Sequence, residues 1–417
     1  MNMKRFFITL VTLALLAGAA GIFLWTNTPQ AHAEAPYQPT SIIRTPAPKF
    51  NLNGTFETNL LHAMPTDVNY MISPFSLRMA LAMAANGAEG ETLAQILTVL
   101  DIACLTQFNA DIRAFIESAI TNELVEINVA NSIWLNHDFF DCHTIDFDLP
   151  FYETISHYFH GTAQRVNNSN GADKINAWVQ AQTHGRIRDI IDETAVEENL
   201  AFLVNAIHFL GDWAHAFNLE NTQPRIFTDR LGEEIYTDMM EKTRHFSFYA
   251  NEYFQMMAKP YTDPHIRMYL VLPTGDELPL FSDLQAAIPR MSYELIRLRL
   301  PRFTTRSLFT NLVEILQAMG ITCAFHYTTA EFIPMFTDLP TDYYAYINNI
   351  LQKTFIEVNE EGTEAAAVTA VVMVAAPVSA CVSPLPRPFF CDRPFLYFIR
   401  NDVTGDILFM GEFAFVE

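Results

Sequence analysis

The sequence predicts a single α+β domain. Segments with helical periodicity dominate the first half, strand-like segments outnumber them in the second, and no long linker separates the two. Apolar residues make up 50 % of the 417-residue chain and charged residues only 17 %, so a large buried core is expected and disorder is excluded. Length alone would suggest two or three domains, a prior that the missing linker opposes.

In chain order, Lys4 and Arg5 precede an uncharged apolar run over 6–25, and a short polar stretch then ends in Ala31-His32-Ala33. This pattern predicts a secretory signal over 1–33, cut after Ala33. An uncleaved membrane anchor is the alternative, because the run is about long enough to span a bilayer. The chain is therefore expected to be secreted or periplasmic, or tethered by that segment. Pro36, Pro39, Pro46 and Pro48 mark 34–49 as an extended linker before a folded body at 50–417.

Ser73-Pro74-Phe75-Ser76 has the form of a helix start, with serine at the cap and proline in the first turn. Leu77, Leu81 and Ala84 then recur at helical spacing up to Gly87. Over 124–134, Val125, Ile127 and Val129 alternate as on one face of a strand. A helix is predicted over 173–185, with Ile175, Trp178 and Val179 on one face and Gly185 at its end. The nearly unbroken apolar run 200–209 suits a strand buried on both faces, yet it carries Asn205, whose amide must find partners or cost about 1–3 kcal/mol. Further strands are expected at 266–272, 295–303, 354–358, 395–400 and 407–415, and a helix at 308–319 closed by Gly320.

With 47 acidic against 25 basic side chains the formal charge is −22, and −24 once Lys4 and Arg5 leave with the signal. That balance argues against a nucleic-acid partner. Five cysteines are an odd number and too few for a disulfide scaffold; Cys381 and Cys391 could close a small loop or stay unpaired. No Gly-x-Ser-x-Gly, Walker, GxGxxG, HExxH or CxxC motif occurs, and His157 and His160 are better read as a chance pair than as metal ligands. No metal, no cofactor and no enzymatic activity are therefore expected.

The run from Glu360-Glu361-Gly362-Thr363-Glu364 through Ala365-Ala366-Ala367 to Ala376 stands apart. A glycine hinge precedes small and β-branched residues, and with period two Thr363, Ala365, Ala367, Thr369, Val371 and Met373 share one face. The segment could enter a sheet as a strand. Buried core is the competing reading, but the prolines that follow (Pro377, Pro384, Pro386, Pro388) and the two glutamates before Gly362 suit an exposed loop better.

Residues 359–367, Asn-Glu-Glu-Gly-Thr-Glu-Ala-Ala-Ala, match the hinge signature of the serpins, and the chain resembles that family over about 50–417. Ile72-Ser73-Pro74-Phe75-Ser76, Val204-Asn205-Ala206-Ile207-His208-Phe209 through Trp213, Leu300-Pro301-Arg302-Phe303 and Arg393-Pro394-Phe395 agree with it in order. The resemblance implies a serpin fold: one α+β domain, helices packed on three β-sheets, and an exposed reactive-centre loop at about 360–390. It further implies a secreted, bacterial-type suicide inhibitor that forms a covalent complex with a target serine protease while the cut loop inserts as an extra strand. A non-inhibitory serpin, a binding or carrier module whose loop is only a substrate, is the alternative.

Residue by residue, the resemblance assigns Ser73, Ser76, Asn205 and Gln352 to a shutter beneath the sheet. Gln352 stands where the family usually has histidine, so a pH-sensitive release there is doubtful. Trp213, Arg302 and Glu360 are assigned to a breach at the top, with Arg302 and Glu360 as an ion pair. Counting about fourteen residues from Gly362 puts the reactive bond at Ala376-Pro377; Ala375-Ala376, Ser379-Ala380 and Ala380-Cys381 remain open because proline after the cut resists attack. Every option presents a small residue, which implies an elastase-like target. Arg113 is the sole basic residue over 100–125, so no heparin partner is expected, and the protein is expected to be a monomer.

Overall fold

The computed structural model describes residues 55–138, 145–197, 200–275, 277–310, 312–337, 339, 345–363 and 385–416, and the backbone alone of 41–43. The described elements open with β1 (Ser41–Ile43), α1 (Phe56–His62), β2 (Tyr70–Ile72), α2 (Pro74–Ala85), α3 (Gly90–Val99), α4 (Leu105–Ile120) and β3 (Val125–Asn136). It continues through β4 (Asp146–Phe147), α5 (Leu149–Phe159), β5 (Thr162–Val166), α6 (Gly171–Gln182), α7 (Glu193–Glu197) and β6 (Ala201–Asp212). Strands then dominate: β7 (Gln223–Thr228), β8 (Glu234–Ala250), β9 (Phe254–Pro260), β10 (Ile266–Pro273), helix α8 (Phe281–Ala287), β11 (Ser292–Pro301) and β12 (Phe303–Phe309). The last third holds α9 (Leu312–Met319), β13 (Phe336–Thr337), β14 (Asn349–Val358), β15 (Gly362–Thr363), β16 (Arg387–Phe390), β17 (Phe395–Asn401) and β18 (Ile407–Phe413).

Among the described residues these strands make three sheets. The central one runs β1-β12-β14-β15-β6-β3-β5, the second β16-β11-β8-β9-β10-β17-β18-β2 with β7 on β8, and the third pairs β13 with β4. One face of the central sheet buries Ala130, Trp134, Phe202, Val204 and Leu351 against Ile175 and Val179 of α6. The other packs on the larger core that contains α2, whose alanines Ala80, Ala82, Ala84 and Ala85 are buried. Ser73 caps α2 from an extended backbone, its Oγ accepting from Ser76 N at 3.1 Å, and Pro74 opens the first turn.

Three expectations change. The stretch 295–303 is two strands in different sheets: β11 pairs with β8 up to Pro301, and Phe303 opens β12 on β14. Pro301 has no N–H for the ladder, and Arg302 N donates to Asp238 O at 2.9 Å, turning the chain between sheets. The helix expected from 308 begins at Leu312, because Leu308 and Phe309 still pair with Lys353 and Gln352. Residues 41–43 of the expected linker form β1, parallel to β12 with Ser41 opposite Ser307.

Candidate functional site

At the base of the central sheet, β14 and β6 run parallel in register from Asn349↔Phe202 to Thr354↔Ile207, which sets Gln352 beside Asn205. Both side chains are fully buried, as are Ser73 and Ser76 at the start of α2. Gln352 Oε1 accepts from Ser73 N at 2.7 Å, and its Nε2 donates to Ser73 O at 3.1 Å and to Asn205 Oδ1 at 2.6 Å. Asn205 Nδ2 donates to Ser76 O at 2.9 Å and faces Ser76 Oγ and Asn131 Oδ1. Ser73 Oγ donates to Leu408 O at 2.6 Å, tying the cluster to the second sheet. The amide of Asn205 thus has the partners that its burial demands. Gln352 accepts with one atom and donates with the other, a set of bonds with no titrating group in it.

Above Thr354↔Ile207 the β14–β6 ladder has no further rungs. At the top, β15 lies between them: Thr363 pairs with Val358 on one side and Gly211 on the other, and Gly362 with Asp212. Thr363 is fully buried and its Oγ1 lies 2.7 Å from the Tyr261 hydroxyl. Gly362 is required by close approach, since a Cβ there would meet Gly211 O at 2.2 Å. The start of the hinge is therefore inside the sheet and not on an exposed loop, a correction to the reading of the two glutamates. Glu364, Ala365, Ala366, Ala367, Ala375, Ala376 and Pro377 lie outside the described residues, as does Cys381, the partner considered for the buried Cys391.

A tight turn delivers β15. Asn359 Oδ1 accepts from Glu361 N and Gly362 N at 3.0 and 3.1 Å, and Asn359 N donates to Gly362 O. Trp213 clasps that turn, donating N–H to Glu361 O at 2.8 Å and Nε1–H to Asn359 O at 3.0 Å. Glu360 is 8 % exposed, and Arg302 grips it with Nε at 2.9 Å from both oxygens and Nη2 at 2.6 Å. Burial alone would raise the Glu360 carboxyl, but donors from Arg302, Thr222 and its own backbone outweigh it and hold the group below the ordinary carboxylate range. A carboxylate thus explains how this glutamate is buried: its charge is paired.

Beneath Trp213 lies Lys259, fully buried, with Nζ 4.5 Å from the Trp213 ring and 4.3 Å from that of Phe217, donating to His215 O at 3.0 Å. Burial, reinforced by Lys242 and Arg244, pushes its pKa well down. Trp213 also stacks on Tyr261, 4.5 Å between ring centres. Sequence reasoning missed Asn131, Tyr261, Thr222 and Lys259. A lysine inside the apolar run of β9 was the available signal, of the same kind as the amide in 200–209. His157 faces Arg113 and stacks edge-on against Tyr158, and no group of metal-holding side chains gathers among the described residues.

The family profile described as "Serpin (serine protease inhibitor)" matches residues 51–415. Serpin B6 of Pongo abelii is 32 % identical over 384 residues, covering 87 % of this chain and 98 % of that protein. The crystal structure of a thermophilic serpin, tengpin, in the native state superposes with a TM-score of 0.77 at 25 % identity, covering 91 % of this chain and 98 % of that one. That of native protease nexin-1 with heparin gives 0.74 at 26 %, covering 88 % and 98 %. The orangutan relative lends no support to the bacterial type expected from sequence. By its sequence match over nearly the whole described body, and by helices packed on three sheets as in these structures, this chain belongs to the serpin family.

Proposed function

We propose that this serpin is a secreted suicide inhibitor of serine endopeptidases that cut after small residues, an inhibitor rather than a catalyst. The observation that carries the reading is β15: two hinge residues already sit between β14 and β6, above a stretch where those strands share no rungs. In this reading the protease serine attacks the bond at Ala376-Pro377, or else at Ala375-Ala376, Ser379-Ala380 or Ala380-Cys381, releases the new amino terminus and is held as the acyl-enzyme. The freed segment then continues downward from Thr363 as a full strand before water can cleave the ester. Thr363 faces inward, and by period two Ala365, Ala367 and Thr369 follow it, small side chains that cost little entropy to bury. The Arg302–Glu360 pair and the Trp213 clasp hold the top, and the Ser73–Gln352–Asn205 cluster holds the base, until then.

The rest of the reading is export through the 1–33 signal, a single serpin domain over 50–417, a monomeric state and no heparin dependence. Purified protein incubated with pancreatic or neutrophil elastase tests it. A covalent complex that survives a denaturing gel is the expected result; quantitative cleavage in the loop with no complex would instead make the protein a binding or carrier module.

A further inference from the structure

The chain carries a formal charge of −22, yet six of its 25 basic residues sit on four adjacent strands of the second sheet: Arg225 on β7, Lys242 and Arg244 on β8, Arg297 and Arg299 on β11, and Arg387 on β16. On β11, Arg297 and Arg299 alternate with the buried Ile296, Leu298 and Leu300, so both arginines share the outer face. A single carboxylate serves three guanidiniums there. Glu241 lies 2.8 Å from Arg297 Nε, 2.7 Å from Arg299 Nε and 3.5 Å from Arg225 Nη2. Of the neighbouring acids, Glu294 neutralises Arg387 at 2.8 Å and Asp392 faces Arg393 at 3.4 Å, which leaves Arg225, Arg297 and Arg299 to share Glu241. Arg225 Nε is buried without an acceptor. Beside this surplus a surface cavity of about 360 Å³ opens between Arg225, Arg299, Ile226, Tyr236 and Asp392, with Tyr236 71 % exposed on its rim.

Position gives the surplus its meaning. β16, whose Phe390 ring carries the Arg299 guanidinium at 4.1 Å, is the first strand after residues 364–384. Every bond from 375 to 381 is joined to Arg387 by at most twelve residues, within roughly 40 Å of extended chain. A protease seated on any of them is thus tethered within that reach of this face.

We propose that the cavity lined by Arg225 and Arg299, with Arg297 beside it on the shared Glu241, is an exosite for the target protease, taking an acidic side chain borne on a surface loop beside that enzyme's active-site cleft. The proposal rests on the inhibitory reading. A concave site that sets Ile226 and Tyr236 beside its arginines suits one carboxylate and its apolar neighbours. A polyanion needs an extended stripe of cations, and this face is interrupted by Asp392 and bordered by the exposed Glu233 and Glu234.

The test measures association rate constants of the full chain with two alanine-cutting serine proteases, one acidic and one basic in net charge, from about 20 to 500 mM NaCl. With the acidic enzyme the wild-type rate should fall about tenfold across that range. Arg225→Ala/Arg297→Ala should start at the low value and stay flat, its stoichiometry of inhibition unchanged. Arg225→Gln alone, outside the main run of the sheet, replaces the double variant if that one unfolds. Equal wild-type and variant rates with the acidic enzyme at low salt would overturn the proposal, as would variant loss of heparin-column retention with protease rates unchanged. If neither protease forms a covalent complex, the inhibitory reading fails, and docking is read separately. The acidic protease with its active-site serine replaced by alanine should bind the wild type about tenfold more tightly than the variant; equal or absent binding overturns the exosite.

Discussion

Replacing Thr363 by arginine probes the step on which the proposed inhibition turns. Thr363 is fully buried between Val358 and Gly211, its hydroxyl on Tyr261, and the buried carboxylate of Glu360, three residues earlier, is already taken by Arg302. A guanidinium forced into that slot would be a buried charge without a partner, at about 3–5 kcal/mol. If the transition state for insertion bears even about 2 kcal/mol of this, insertion slows about 30-fold, while hydrolysis of the acyl-enzyme, which does not involve Thr363, keeps its rate. The ratio of cleaved serpin to trapped complex should rise by the same factor, so inhibitor becomes substrate. Stoichiometry of inhibition, from residual protease activity and from denaturing gels, reads that ratio. Thr363→Ser keeps the bond to Tyr261 and should inhibit as the wild type does. A Thr363→Arg protein that still trapped its protease near one to one would refute the reasoning.

Gly362→Ala drives a methyl group into Gly211 O, so β15 should be expelled from the sheet, seen as faster amide exchange at 362–363 and slower complex formation. Gln352→Ala leaves the Ser73 amide and the Asn205 carbonyl oxygen buried without Gln352; a loss of about 2–5 kcal/mol in denaturant titration is expected, and a loss under about 1 would remove the cluster's structural weight. Glu412, 1 % exposed, has its carboxyl pushed up by burial to about 7 from an ordinary 4.5 despite Arg230. The folded state therefore keeps a proton that the unfolded chain releases, and this contribution to stability, present below pH 4.5, drains away as pH rises to about 7. Glu412→Gln should flatten that slope and gain up to about 3 kcal/mol above pH 7, read from unfolding curves between pH 4 and 8; an unchanged slope contradicts it.

How much of this was readable beforehand follows from the range of the interactions. The Ser73 cap is local, set by the four consecutive residues 73–76, and the strand at 200–209 declares itself by composition, so both were legible. The Asn205 amide announced that it needed partners without saying which. Its donors and acceptors come from 129 residues away at Ser76 and 147 away at Gln352, and only the family resemblance linked them. The sheet change at Arg302 was marked only by Pro301, because periodicity records which face is buried, not which sheet it belongs to. Glu360 misled in the same way: two adjacent glutamates suggest solvent until the partner that neutralises one of them, 58 positions earlier, is known. Lys259 was the overlooked warning, a charge in an apolar strand whose cage of Trp213 and Phe217 exists only in the folded top of the sheet.

The central claim is that the central sheet is held ready for a strand it does not yet contain, and thermal unfolding before and after a single cut within 364–384 tests it most directly. If the freed segment zips down between β14 and β6 from Thr363, the cleaved protein must melt far above the intact one, because new ladder bonds and buried side chains replace a kinetically trapped arrangement. An intact and a cleaved form that melt at the same temperature would contradict the account.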